Sequence, residues 1–148
     1  MEIPQIKMIY AYPLDEDRRR FFSQQNLGRY PSVEEVRDTT SHWRNVWNET
    51  NRDNRIVLTL QELTKRVPTR SLECFIIGGG IKAMSTPFII SVRKRNGEER
   101  SDQDFIETLI HEAAHIFVSD VPAYFDSLRE KYSGSRYLPG IIYSFTRY

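Results

Sequence analysis

Apolar residues in this chain recur with a period of two in some stretches and of three to four in others, and each change of period marks an element. Residues 6–12 (Ile-Lys-Met-Ile-Tyr-Ala-Tyr) are apolar, β-prone and stopped by Pro13, which predicts a short strand. Residues 14–31 carry Asp-Glu-Asp-Arg-Arg-Arg at 15–20 and predict a solvated helical turn closed by Gly28 and Pro31. Arg18, Arg19 and Arg20 stand beside three acids, so they read as a solvent face and not as an anion site. Ser32, with an acid three residues on at Glu35, predicts a capped helix start. Val36, Thr39/Thr40, Trp43 and Val46/Trp47 follow at helical spacing, and the tryptophan pair reads as core. Residues 48–54 are polar and predict a break. A second helix is expected over 56–67, with Ile56, Leu60, Leu63 and Val67 on one side and Pro68 ending it.

The next stretch changes period. Residues 72–77 (Leu-Glu-Cys-Phe-Ile-Ile) and 88–93 have strand composition, with Asn96-Gly97 as a turn after the second. Gly78-Gly79-Gly80 lacks the lysine and serine or threonine of a phosphate loop, so a flexible turn is expected there. Arg93-Lys94-Arg95 is answered by Glu98-Glu99 and reads as solvated. Ser101-Asp102-Gln103-Asp104 then caps a strongly amphipathic helix. Phe105, Ile106, Leu109, Ile110, Ala113, Ile116 and Phe117 form its apolar side; Thr108, His111, Glu112, His115 and Ser119 share the other. Pro122 suits the first turn of a further helix with Tyr124, Phe125, Leu128 and Tyr132 on its apolar face, and 141–145 predicts a terminal strand. The pattern has no repeat, linker or boundary. It predicts one α+β domain over 1–148, a small mixed sheet packed on helices.

Length and composition narrow the function classes. The chain has 148 residues, enough to bury a core without staples. A net charge of +1 offers no broad field for nucleic acid or acidic membranes, so neither is expected as a partner. One cysteine, Cys74, excludes an internal disulfide and fits a reducing compartment. No apolar run reaches membrane-spanning length, and the first residues lack the pattern of a signal peptide. A cytoplasmic protein is the expectation.

The chemistry concentrates at His111-Glu112-Ala113-Ala114-His115. Two histidines four apart on a helix face one way, one turn above each other. Their imidazoles can hold one zinc ion from the same side, and the intervening glutamate is placed to take a proton from water beside the metal. A catalytic zinc usually takes three protein ligands. No third histidine follows, which excludes a metzincin-like arrangement; the remaining histidine, His42, lies in the tryptophan helix. The acids beyond His115 are Asp120, Asp126 and Glu130. Asp120 is nearly on the same helix. Asp126 and Glu130 share the polar side of the next one, and Glu130 has the longer reach, which favours it as the third ligand.

The motif and its setting resemble the zincin metallopeptidases, most closely the single-domain minigluzincins. The residues that carry the resemblance are Thr108-Leu109-Ile110-His111-Glu112-Ala113-Ala114-His115. They are preceded by a tryptophan helix, the strand at 74–77 and Met84-Ser85-Thr86-Pro87-Phe88-Ile89-Ile90. The HExxH portion is specific; the rest is order and spacing. The resemblance implies a zincin-like fold with the HExxH segment as its active-site helix, and a sheet edge bordering the cleft. It implies Zn2+ held by His111, His115 and a glutamate from a following helix, with Glu112 as general base and acid. The chain departs from the wider gluzincin pattern in lacking an NExxSD-type signature and in the short gap from His115 to Glu130. The implied activity is hydrolysis of peptides or unfolded proteins. An extended substrate is expected on the 88–92 strand, and Tyr137 and Tyr143 are candidate oxyanion donors. Latency through self-association, or through the 138–148 tail, belongs to the same resemblance. The competing expectation is a non-catalytic zinc-binding or interaction module.

Overall fold

The computed structural model describes residues 3–66, 68 and 72–118. The chain enters as strand β1 (Ile6–Tyr10) and passes through helices α1 (Tyr12–Gln24), α2 (Val33–Thr50) and α3 (Arg55–Thr64). It returns as β2 (Leu72–Ile77), β3 (Met84–Ser85) and β4 (Phe88–Ser91), then forms α4 (Asp102–Phe117). The result is a mixed α+β unit: a four-stranded sheet in the order β1-β2-β4-β3, and four α-helices among the described residues. β1, β2 and β4 run parallel, and β3 is antiparallel to β4. A strand inside a parallel sheet is covered on both faces. That accounts for the uninterrupted buried run Phe88-Ile89-Ile90-Ser91 in β4. No helix among the described residues is long and apolar enough to cross a membrane.

The starts of α2 and α4 are set where the sequence signals them, whereas β1 stops at Tyr10 and α1 begins at Tyr12, inside the stretch expected as strand. The Ser32 and Ser101 hydroxyls each accept the backbone N–H three residues on, from Glu35 and Asp104, at 3.1 Å. Asn51 Oδ1 accepts from Ile56 and Val57, capping α3 from across the polar break. α3 ends at Thr64 and not at Pro68, because Lys65 adopts the left-handed conformation (φ 56°) that closes a helix. Between α2 and α4 the Trp43 and Phe105 rings stack at 4.2 Å, both fully buried. Trp47, Leu60, Ile76, Ile90 and Leu109 complete the core around them.

Three sequence expectations change. The charge block of α1 is not a solvated turn. Asp15 is fully buried and accepts four hydrogen bonds: Tyr10 Oη at 2.5 Å, Tyr30 Oη at 2.6 Å, and Arg19 Nη2 and Gly78 N–H at 2.8 Å. Burial, and then the Asp15 carboxylate, pushes the Tyr10 hydroxyl up to about 12 and the Tyr30 hydroxyl up as well. The glycine run is likewise clamped and not a loose turn. Tyr30 Oη accepts from Gly78 and Gly79, and Arg18 donates to the Gly80 carbonyl. A Cβ on Gly78 would lie 2.6 Å from the Tyr30 ring. The substrate-edge expectation also moves. β4 lies between β2 and β3, so among the described residues the sheet edge beside α4 is the two-residue β3 and not the 88–92 strand. The helix expected from Pro122 and the strand at 141–145 lie outside the described residues.

Candidate metal centre

α4 is built to be stiff. Its serine cap is followed by Asp102 and Asp104 in the first turn, where carboxylates complement the helix dipole. Its apolar stripe packs onto the sheet at β3 and β4 and onto α2 and α3. Phe105, Leu109, Ala113 and Ala114 are fully buried, and the two alanines let the backbone approach its neighbours closely. The functional residues thus stand on an element held on several sides.

The stripe sits slightly off the sequence expectation. Ile110 and Ile116 are only partly buried, while Glu112, expected on the polar side, is 3 % exposed. The spacing explains the shift. Positions 105, 109 and 112 follow the i, i+4, i+7 rule of a core-facing stripe, so residue 112 points inward whatever its chemistry. The half-buried line on the flank of α4 runs through Asp104, Thr108, His111 and His115.

The imidazoles of His111 and His115 lie with centroids 5.1 Å apart and planes tilted by 59°. His111 Nε2 is 3.5 Å from Glu112 Oε1. One ligand atom from each of His111, Glu112 and His115 falls within 4.8 Å of the others; among the described residues this is the group of such side chains that could hold a metal ion. Two nitrogens on one tetrahedral zinc stand roughly 3.3 Å apart, so closing on an ion takes a modest side-chain rotation.

The electrostatics suit the same ligands. Burial pushes the Glu112 carboxyl up to about 7, with Lys82 pulling it partly back. Burial pushes His115 down, toward the neutral imidazole that a metal requires. The Cys74 thiol is raised by burial and then by Glu112, which keeps it protonated and inert. Imidazole nitrogens and a carboxylate are the donor set zinc takes, so these residues fit that ion.

The structure brings together His111, Glu112 and His115. Glu130, Asp126 and Asp120, the candidates for a third ligand, and Tyr137 and Tyr143 lie outside the described residues. His42 stands apart, exposed on α2, with Nε2 at 2.9 Å from Asp102 Oδ2 at the start of α4. Two neighbours of the site escaped the sequence reading. Lys82 follows the glycine run, and its charge acts on Glu112. Arg100 reaches along the flank of α4 to Asp104 at 2.8 Å and Thr108 at 3.4 Å. The Arg100–Asp104 spacing of four, across a helix start, was the available signal. A separate cavity of about 340 Å³, lined by Arg19, Phe22, Ser23, Asn26, Gly28 and Tyr30, shares no residue with this group.

Comparison with known proteins finds no matching family model, no matching curated protein and no matching solved structure.

Proposed function

We propose that this chain is a zinc-dependent metallopeptidase of the HExxH type, most like the minigluzincins, acting on peptides or unfolded proteins. The observation that carries the reading is the convergence of two imidazoles and a buried carboxylate on one rigid helix within 4.8 Å. His111 and His115 would hold the metal, with Glu130 as the proposed third ligand. Zinc, when bound, supplies a Lewis acid that polarises a peptide carbonyl and acidifies water. Glu112 takes the proton from the attacking water and hands it to the leaving amine. The carboxylate form is the base in the first transfer and the carboxylic acid the donor in the second. An extended substrate would add to the edge strand β3, which among the described residues pairs only with β4 and packs against α4.

A second reading has one observation in its favour. Glu112 itself falls within the ligand-distance group, as a zinc ligand in a non-catalytic module would. One pair of measurements separates the two. Glu112→Gln in the peptidase keeps zinc stoichiometry and loses cleavage of an unfolded protein; in the binding module it weakens zinc. His111→Ala and His115→Ala release the metal in both. Full cleavage by Glu112→Gln, or by chelated protein, would refute the peptidase.

A further inference from the structure

The side chain of Arg100 lies on the same flank of α4 as the imidazole pair, and its hydrogen bonds leave one edge open. Nε donates to the Ser91 carbonyl at 2.9 Å, and Nη1 donates to Asp104 at 2.8 Å and Thr108 Oγ1 at 3.4 Å. Nη2 makes no hydrogen bond to any described residue. With its side chain 9 % exposed, the guanidinium is anchored and largely desolvated. Such a group meets a carboxylate with little entropy left to lose. Asp104 neutralises part of the charge, but Lys94 Nζ lies 3.7 Å from its other oxygen. Asp104 is thus shared between two cations and does not neutralise Arg100 alone.

Its place relative to the site is fixed by the helix. Thr108 is one turn before His111, about 4.5 Å along the axis, and about 10 Å before His115. An extended peptide advances roughly 3.3 Å per residue, so a chain lying along α4 would bring a group one to three residues from the reacting bond to this guanidinium.

We propose that Arg100 forms a carboxylate-binding subsite beside the imidazole pair, offering Nη2 to an acidic side chain or a free C-terminus of the peptide. The inference rests on the peptidase reading and names the substrate feature that this site prefers. Arg100 selects substrate; Asp104 and Thr108 position its fork.

The test uses zinc-loaded full-length Glu112→Gln protein, so that nothing is turned over, and equilibrium binding of fluorescent peptides. The peptides share one sequence. One series replaces Gln by Glu at successive positions, and the other compares the C-terminal acid with the amide. The preferred carboxylate tightens binding about tenfold, the value of one charge-assisted hydrogen bond in a partly buried setting. The series that responds says which carboxylate is read. Arg100→Gln abolishes the preference, and Arg100→Lys keeps only part of it, because the fork is lost. Asp104→Asn, whose amide oxygen still accepts from Nη1 and so holds the fork while the competing charge is gone, strengthens it. Equal binding of acid and neutral peptides overturns the subsite, as does a preference unmoved by Asp104→Asn. A protein that binds no zinc sinks the peptidase reading and the subsite with it. One that binds zinc and peptides without regard to carboxylates sinks the subsite alone.

Discussion

Replacing Glu112 by glutamine should stabilise the metal-free protein, increasingly so as the pH rises. Glu112 is 3 % exposed, and burial lifts its carboxyl from an ordinary 4.5 to about 7. The folded state therefore holds the proton more tightly than the unfolded chain does. The contribution of Glu112 to stability is whole below about pH 4.5. It declines as the pH rises and is gone above about 7, where a charge must be kept inside the fold. The gap between 4.5 and about 7, at about 1.36 kcal/mol per pH unit, amounts to about 3 kcal/mol. Glutamine stays neutral throughout. Other carboxylates titrate alike in both proteins, so the difference between them isolates residue 112.

The assay is urea unfolding of wild type and Glu112→Gln at pH 4, 6 and 8 with a chelator present. The stability difference should shift in favour of glutamine by about 3 kcal/mol between the first pH and the last. With zinc replacing the chelator, the nearby divalent charge favours the ionised carboxylate, and the shift should shrink. Parallel pH curves for the two chelated proteins would mean that Glu112 titrates normally. The buried general base would then have no physical basis.

Two further outcomes test the frame around the site. Gly78→Ala places a Cβ 2.6 Å from the Tyr30 ring, so it should cost about 2 kcal/mol by overpacking, read from urea midpoints; a neutral effect would mean the glycine clamp yields freely. Trp43→Ala removes the ring stacked on Phe105 under α4 and should cost about 3–5 kcal/mol, while Trp43→Phe should cost less; equal losses would argue that the stack contributes little beyond volume.

The sequence made the frame legible wherever one local rule dominates. Serine with an acid three residues on located both long helix starts, and the run at 72–77 matches β2 from end to end. It failed where distant residues decide. Nothing near Asp15 says that Tyr10, Tyr30, Arg19 and the Gly78 amide will converge on it, since Gly78 is 63 positions away. Local rules give a solvated charge block beside an unrelated glycine turn. The resemblance offers 88–92 as the edge strand, and only the pairing of Met84 and Ser85 with Ile89 and Phe88 makes it internal. The grouping of His111, Glu112 and His115 on one helix was legible, but the side Glu112 faces was not. Identity suggested a polar face, and helical register overrode it.

Asp15 and Glu112 are both buried carboxylates in this molecule, and the fold treats them differently. Asp15 receives four donors, three from side chains and one from the backbone, and ties α1 to the turn after β2. That is how a fold keeps a charge for structure. Among the described residues, Glu112 has the His111 imidazole at 3.5 Å and the field of Lys82 to offset burial. A leucine or glutamine there would pack the core at lower cost. A buried carboxylate next to two half-buried histidines on one helix is the arrangement that the proposed proton transfer requires. The contrast has a measurable form. Asp15→Asn should destabilise the protein at neutral pH and Glu112→Gln should stabilise it in chelator, two amide substitutions with opposite signs. If both destabilise, Glu112 belongs with Asp15 as a structural anion, and the case for its proton-transfer role fails.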